Sequence, residues 1–276
     1  MSGQVSITVL VVAYGDPAHL RHCLAELDAA PGVVTVVDNG RSDATLEVAG
    51  AAGAAYVRPE ANLGFAAGVN RGLAAWEGAS DVLLLNPDAA LPWSGVAALQ
   101  DHLRSRDQLA AVAPSLRRPG GGPEPASWPM PSPAVVWLDA LGLSRLQRGP
   151  RFLTGAVLLL RAEALRELGG LDERFFLYAE ESDWQLRALR AGWDVEVVPE
   201  VTAMHLGGAT SDSATVRSEH FHRSARLFAR KWYGQTGALL MLAASLTAAL
   251  RRTLTGGRSG RAEALAMVRT YLRRAA

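Results

Sequence analysis

Along the first 200 residues, short apolar runs bounded by turn-forming residues alternate with stretches whose apolar positions recur every three to four residues. That alternation predicts an α/β domain, with a Rossmann-like, mostly parallel central sheet flanked by helices. Strands are expected at residues 6–13, 33–37, 55–58, 82–85, 156–160 and 195–198, and helices at 19–27, 41–50, 66–76, 162–168 and 182–191. Gly192 is a stop signal for the last helix. Asn86-Pro87-Asp88 ends the run at 82–85, because a proline cannot donate to a central ladder. The segment RPGGGPEPASWPMPSP (118–133) is too rich in Pro and Gly for a regular element and reads as a loop or lid. No internal repeat appears, and no domain boundary is expected before about residue 220.

Composition adds limits to this pattern. With 276 residues, 49% of them apolar, the chain can bury a core as one large domain or as a domain plus an extension. Its single cysteine, Cys23, excludes an internal disulfide and a cysteine-rich metal site, fits a reducing compartment, and reads as a core residue on an early helix. The apolar N-terminal run lacks a basic flank and a cleavage pattern, so it reads as a buried first strand rather than a signal peptide.

The net charge of +1 conceals a split: from Phe221 onward there are eleven Lys and Arg against one acid, Glu263, leaving residues 1–220 at −9. Such a basic tail suits an anionic membrane, a nucleic acid or an acidic partner. Its apolar run GALLMLAASLTAAL (237–250) is too short to span a bilayer as a straight helix. Flanked by Arg230, Lys231, Arg251 and Arg252, it fits a helix lying in the headgroup plane, and equally a helix packed on the domain with a solvated basic face.

Candidate chemistry gathers at strand ends. In open parallel sheets, ligands bind outside the carboxyl ends of strands, where Asp38 and Asp88 are expected. Taken singly, each aspartate is as well explained by a turn or a helix cap. Glu180, Glu181 and Asp183 crowd like charges at a helix start, which is costly unless a metal, a base function or the helix N-terminus uses them. Asp183 and Arg187, four apart, suit a simple pair. Trp184, Phe175, Phe176 and Tyr178 suit an acceptor-sugar wall or the core. Glycines 64, 68 and 72 match neither a dinucleotide fingerprint nor a P-loop. They permit close approach of a nucleotide, or tight helix-to-sheet packing.

The ordered set VVAYGDPAHLRHCL, VVDNGRSDAT, NLGFAAGVNRGL, LLLNPDA, FLTGAVLLLRAEALRELGGLDERFFLYAEESDWQLRALRAG and VPEVTAMH resembles the family 2 inverting glycosyltransferases, most of all the bacterial rhamnosyltransferase branch. The resemblance covers residues 5 to about 210. It implies a GT-A fold over residues 1–220, and the charge and apolar run of the tail add a basic helical extension at 221–276. It implies a nucleotide-diphosphate sugar donor, dTDP-rhamnose being favoured, Mg2+ or Mn2+ as cofactor, and a glycan or lipid-linked acceptor in cell-wall or polysaccharide synthesis. A cytoplasmic enzyme results, peripheral on the inner face of the membrane, with no nucleic-acid partner. By the same resemblance Asp38, Asn39, Asn62, Gly64, Asn70 and Asn86 attend the donor, Asp88 binds it and the metal, and His205 completes the metal site. The family's Asp-x-Asp stands here as Asn86-Pro87-Asp88, one carboxylate fewer. Its Glu-Asp pair stands as Glu180-Glu181, which makes Glu181 the catalytic base, with Glu180, Asp183 and Trp184 at the acceptor or in positioning roles. Competing expectations are a non-catalytic sugar-nucleotide-binding homologue, a family 2 transferase for galactofuranose or GlcNAc, and a sugar nucleotidyltransferase. The last of these usually opens with a Gly-rich basic loop where this chain has AYGDPAHLRHC.

Overall fold

The computed structural model describes residues 6–28, 33–207 and 214–255. Strands β1 (Ile7–Ala13), β2 (Val34–Asp38), β3 (Ala55–Val57) and β4 (Asp81–Leu85) run parallel in the order β3-β2-β1-β4. Helices α1 (Pro17–Leu27), α2 (Asp43–Ala51) and α3 (Phe65–Leu73) alternate with them in sequence. Asp16 opens α1 by accepting from the Ala18 amide at 2.9 Å, with Pro17 at the first helical position.

The second half of the sheet brings a reversal of direction. After β5 (Ala89–Ala90) and α4 (Trp93–Arg104) come β6 (Leu109–Arg117), β7 (Pro123–Glu124), β8 (Ser127–Pro129), α5 (Pro133–Ala140), β9 (Arg151–Leu153), β10 (Val157–Leu160), α6 (Ala162–Leu168), α7 (Glu180–Arg190), β11 (Asp194–His205) and α8 (Ala214–Thr255). The sheet continues β4-β10-β6-β11-β5, with β10 antiparallel to both β4 and β6. β11 runs parallel to β6 and antiparallel to β5, and β7 folds back on β6 as a hairpin. β8 and β9 form a separate two-stranded ribbon. The carboxyl ends of β1, β2, β4, β6 and β11 therefore share one edge of the sheet with the amino end of β10.

Successive side chains of a strand point to opposite faces, and here both faces are covered. Val9, Val11, Leu83, Leu85, Val157 and Leu159 enter one core with α1 and α4, while Leu10, Val12, Val82, Leu84, Leu158 and Leu160 enter another with α3, α6 and α7. Double-sided burial explains why these strands read as continuous apolar runs. Cys23 lies on α1 in the first core, as expected, and burial pushes its thiol up to about 12, with Asp88 adding to the rise.

Several elements go beyond the sequence pattern. The Gly/Pro-rich segment contributes β7 and β8 instead of remaining wholly irregular, and α4 and β6 were not foreseen. β11 extends to His205 although the pattern stopped near residue 198, because a register break between Val198 and Thr202 interrupts its periodicity. Pro114 of β6 faces Val198 just before that break, where a missing N–H is tolerated.

The chain divides into two compact units. One holds the main sheet with α1–α4, α6 and α7. The other holds α5, residues 177–179 and α8. In the second unit, Ala244 and Ala248 of α8 pack against Ala140, Val136 and Trp137 of α5, and Arg251 donates to the Ala140 carbonyl at 2.9 Å. Tyr233 hydroxyl donates to the Pro131 carbonyl at 2.8 Å. α8 breaks at Gly234, whose φ is +65°. The apolar run 237–250 lies wholly within it, packed on one side and carrying exposed Leu239, Leu240, Leu246 and Leu250 on the other. By length and composition, residues Val216–Leu254 of α8 also pass the test for a membrane-crossing helix. The basic residues beyond Thr255, which carry much of the tail's charge, lie outside the described residues.

Candidate active site

The acids at the sheet ends differ in how their oxygens are satisfied, and that difference sorts them by role. Asp81, at the opposite end of β4, is wholly buried and fully partnered. It accepts from Gln100 Nε2 at 3.0 Å, from the Ala162 amide at 2.9 Å and from the Arg104 guanidinium. Asp38, also wholly buried, accepts from the Arg41 amide at 2.9 Å, the Ser42 amide at 2.8 Å and the Tyr56 hydroxyl at 2.7 Å. Its carboxylate shapes the turn into α2, the local reading its sequence left open. The adjoining Asn39 is buried, donates to the Gly64 carbonyl at 2.9 Å, and keeps its own carbonyl oxygen buried without a hydrogen bond.

Asp88 is the exception among the aspartates. It is 4% exposed, and neither carboxylate oxygen has a hydrogen bond. The nearest cationic group is His205 Nε2, 3.4 Å from Oδ1. A buried carboxylate without hydrogen bonds costs roughly several kcal/mol, which the single His205 contact only partly offsets and which a ligand at this position would relieve. The His205 side chain reaches Asp88 because β11 pairs with β5 at His205↔Ala89, and the Leu206 amide closes the register by donating to the Asp88 carbonyl at 3.0 Å. Burial pulls the His205 imidazole pKa down, yet Asp88 and Glu124 together outweigh it and leave it raised. Asn86, two residues before Asp88, donates its backbone amide to the Ala156 carbonyl at 2.9 Å, just before β10.

Glu181 stands at the N-terminus of α7. It is half-buried as a residue, but its Oε2 is out of solvent and without a hydrogen bond. Desolvation pushes its carboxyl up to about 7 against partial relief from the helix-start amides of Glu181 and Ser182. Gly155 lies beside it: a Cβ added there would sit 3.8 Å from Glu181 Cβ. Since Gly155 immediately precedes β10, and Val157 pairs with Leu85, Glu181 occupies the same sheet edge as Asn86 and Asp88. Just before α7, Tyr178 and Ala179 both hold φ near +70°, a strained backbone in the stretch leading into the helix that bears Glu181.

The remaining expected site residues split into those at the edge and those in the scaffold. Gly64, with φ +81°, brings its backbone against Phe176, whose carbonyl accepts from the Phe65 amide at 2.7 Å; a side chain at 64 would collide with that carbonyl. Asn62 holds the turn by accepting from the Gly64 amide at 2.9 Å. Asn70 is taken up by the loop before α7: its amide donates to the Leu171 carbonyl at 2.8 Å and Glu173 at 2.9 Å, and its carbonyl accepts from the Leu171 amide. Its side chain therefore ties α3 to that loop.

Two residues expected at the acceptor or in positioning roles lie in the interior. Trp184 is 1% exposed, sits in the core and donates to the Gly169 carbonyl at 2.9 Å, so it presents no face to a sugar. Asp183 is wholly buried and pairs at 3.3 Å with Arg187, which in turn donates to the Leu168 and Gly170 carbonyls. Glu180 is buried next to Glu181 in the chain.

One residue escaped sequence reasoning. Glu124, in the segment read as a loop, places Oε1 3.1 Å from His205 Nδ1. Its signal was weak: a single acid among prolines and glycines, positioned only by the β6–β7 hairpin. Among the described residues, no three His, Cys, Asp or Glu side chains gather closely enough to hold a metal ion on their own. An ion beside Asp88 and His205 would thus draw further oxygens from its ligand or from water.

The chain matches the family model described as Glycosyl transferase family 2 over residues 8–169, and that described as Glycosyl transferase family group 2 over residues 136–273. It is 30% identical over 256 residues to the N-acetylglucosaminyl-diphospho-decaprenol L-rhamnosyltransferase of Mycobacterium tuberculosis, covering 80% of this chain and 83% of that protein. Among solved structures it resembles the mannosyltransferase PcManGT from Pyrobaculum calidifontis in complex with GDP-Man and Mn2+, at 18% identity and TM-score 0.61, covering 95% of this chain and 79% of that one. It also resembles GalNAc-T7 with UDP, GalNAc and Mn2+, at 13% identity and TM-score 0.63, covering 90% and 52%. These structural likenesses establish the GT-A fold.

Proposed function

From the premise that this chain belongs to the family 2 glycosyltransferases, we propose that it transfers rhamnose, with inversion, from dTDP-rhamnose to a polyprenyl-diphosphate-linked sugar in cell-envelope polysaccharide synthesis. The rhamnosyl choice is supported by the mycobacterial relative, which acts on such a lipid-linked acceptor by its name. The observation that carries the chemistry is Glu181: a carboxylate at a helix start with one oxygen out of solvent and without a hydrogen bond, and with its pKa raised to about 7 by desolvation, on the sheet edge that also holds Asp88.

An inverting transfer is a single displacement. The acceptor hydroxyl oxygen forms the new bond to the anomeric carbon, the bond from that carbon to the diphosphate oxygen breaks, and its electron pair leaves with the nucleoside diphosphate. The hydroxyl proton passes to Glu181, whose pKa near 7 lets it accept a proton from the alcohol as the bond forms and release it afterwards. No general acid is needed for so good a leaving group, unlike a glycosidase.

Asp88 and His205 fit a hard divalent cation, Mg2+ or Mn2+, because the carboxylate is buried without hydrogen bonds and faces an imidazole nitrogen. When bound, such an ion supplies neutralising charge to the departing diphosphate. Asn39, with its buried free carbonyl oxygen, and the backbone at Gly64 bound the donor side, while Asp38 holds the turn beneath them.

We assign transfer to residues 1–220 and contact with the lipid surface to the extension from 221. The support is α8: Leu239 and Leu250 are more than 60% exposed and, with Leu246, recur at helical spacing, with arginines at the end of the run. Enzyme and acceptor would then meet at the cytoplasmic membrane face.

Thermal shift with dTDP, UDP and GDP and their sugars, with and without Mn2+, tests the donor side, since a ligand that binds only the folded state raises its stability. A Mn2+-dependent rise with dTDP-rhamnose is expected. A rise confined to UDP- or GDP-sugars would remove rhamnose, and no rise with any of them would count against a nucleotide-sugar donor site.

A further inference from the structure

We propose that Glu124 is a positioning residue that fixes the tautomer of His205, so that the Nε2 lone pair faces Asp88 and is available to a divalent cation. The inference rests on the metal reading above.

His205 lies between two carboxylates, and only one of them makes a hydrogen bond with it. On one side Nδ1 meets Glu124 Oε1 at 3.1 Å; on the other Nε2 stands 3.4 Å from Asp88 Oδ1, whose oxygens have no hydrogen-bond partner. A neutral imidazole carries one N–H, and the stronger acceptor contact decides which nitrogen holds it. Glu124 therefore takes the proton at Nδ1, and Nε2 is left as an acceptor. Without Glu124 the proton would pass to Nε2, where Asp88 accepts it, turning a ligand into a donor that blocks the site. Histidine ligands commonly donate their second N–H to a carboxylate in this way.

The backbone builds the contact deliberately. Glu124 pairs with Leu116 across the β6–β7 hairpin, Leu116 pairs with Ala203 of β11, and His205 follows two residues later on the same strand. The turn is closed by the Arg118 amide donating to the Gly122 carbonyl at 2.8 Å, with Gly120 and Gly121 at φ near +90°. The Gly/Pro-rich run thus has a specific product: one acid set beneath one imidazole. Glu124 Oε2 is itself buried without a hydrogen bond.

The test uses the full chain. Mn2+ affinity is measured by water-proton relaxation with dTDP present, for the wild type, Glu124→Ala, Glu124→Gln and His205→Ala, and the His205 tautomer is read at pH 8 by 15N-histidine NMR without metal. Glu124→Ala should weaken Mn2+ binding about 10- to 100-fold and shift the tautomer toward Nε2–H. Glu124→Gln, whose carbonyl still accepts from Nδ1, should recover most of the affinity. Wild-type affinity and tautomer in Glu124→Ala, with affinity lost in His205→Ala, would overturn the role of Glu124 while leaving the metal site standing. A wild type that takes up no Mn2+ would overturn both. If Glu124→Ala does not fold, the tautomer and affinity of Glu124→Leu decide in the same way.

Discussion

Replacing Glu181 with glutamine should move activity and stability in opposite directions, because the features that equip this side chain as a base also strain the fold. Glutamine keeps the shape and cannot take a proton, and removing a general base costs about 10²- to 10⁴-fold in rate. We expect kcat to fall by that range and the dissociation constant for the donor to stay within about threefold. Stability follows from the raised pKa. A carboxyl that titrates near 7 when folded and near 4.5 when unfolded favours the folded state only while protonated, so its contribution is present below about pH 4.5 and is lost as pH rises through 7. Two and a half units correspond to about 3 kcal/mol at pH 8, and the cost is about 1 kcal/mol at pH 5. Glutamine carries no such penalty at any pH. The stability of Glu181→Gln relative to the wild type should therefore grow by about 2 kcal/mol from pH 5 to pH 8, roughly 4–8 °C in Tm for a chain of this size. Paired transfer assays and thermal melts at the two pH values measure both effects. A variant that retains activity within threefold removes Glu181 as the base. A stability difference that stays flat with pH would refute the buried, raised-pKa account of its side chain.

Other residues give independent checks. Asp88→Asn should abolish the Mn2+-dependent thermal shift given by the donor; a shift of wild-type size would exclude Asp88 from the metal site. Gly64→Ala should lower stability by more than about 2 kcal/mol, because φ is +81° and the new methyl meets backbone that cannot rotate away, its carbonyl carbon being 2.9 Å distant; a Tm within 1 °C of wild type would contradict that geometry. Substituting Leu239, Leu246 and Leu250 together by glutamate should leave the fold intact, since all three are exposed, and cut partition to anionic vesicles at least tenfold. Unchanged partition would remove the leucine face of α8 as a membrane contact.

Much of this arrangement was legible in the sequence where burial is two-sided or chemistry is local. β1, β2 and β4 read directly because both faces of each strand are covered, and α1 read from its spacing, with its start placed two residues past Pro17. β6 and β11 were obscured by Pro114 and by the break after Val198, which disturb a period of two without ending the ladder. Among site residues, Asp38, Asp88 and Glu181 could be picked out by position, but only the structure separates them: Asp38 is satisfied by its own turn, whereas Asp88 has no hydrogen bond and only the contact with His205. Trp184 and Asp183 shared a helix with Glu181 and so shared its expectation. Packing against the sheet took Trp184 into the core, and Asp183 went into a buried pair with Arg187. Glu124 was illegible because its meaning depends on a contact across 81 residues of sequence.

The central claim is transfer itself. The purified full chain, given dTDP-rhamnose, a polyprenyl-diphosphate-linked GlcNAc in detergent and Mn2+, should yield a lipid product heavier by one deoxyhexose, with the anomeric configuration of the donor inverted when read by NMR. Donor binding without any such product, or a product of retained configuration, would contradict the account.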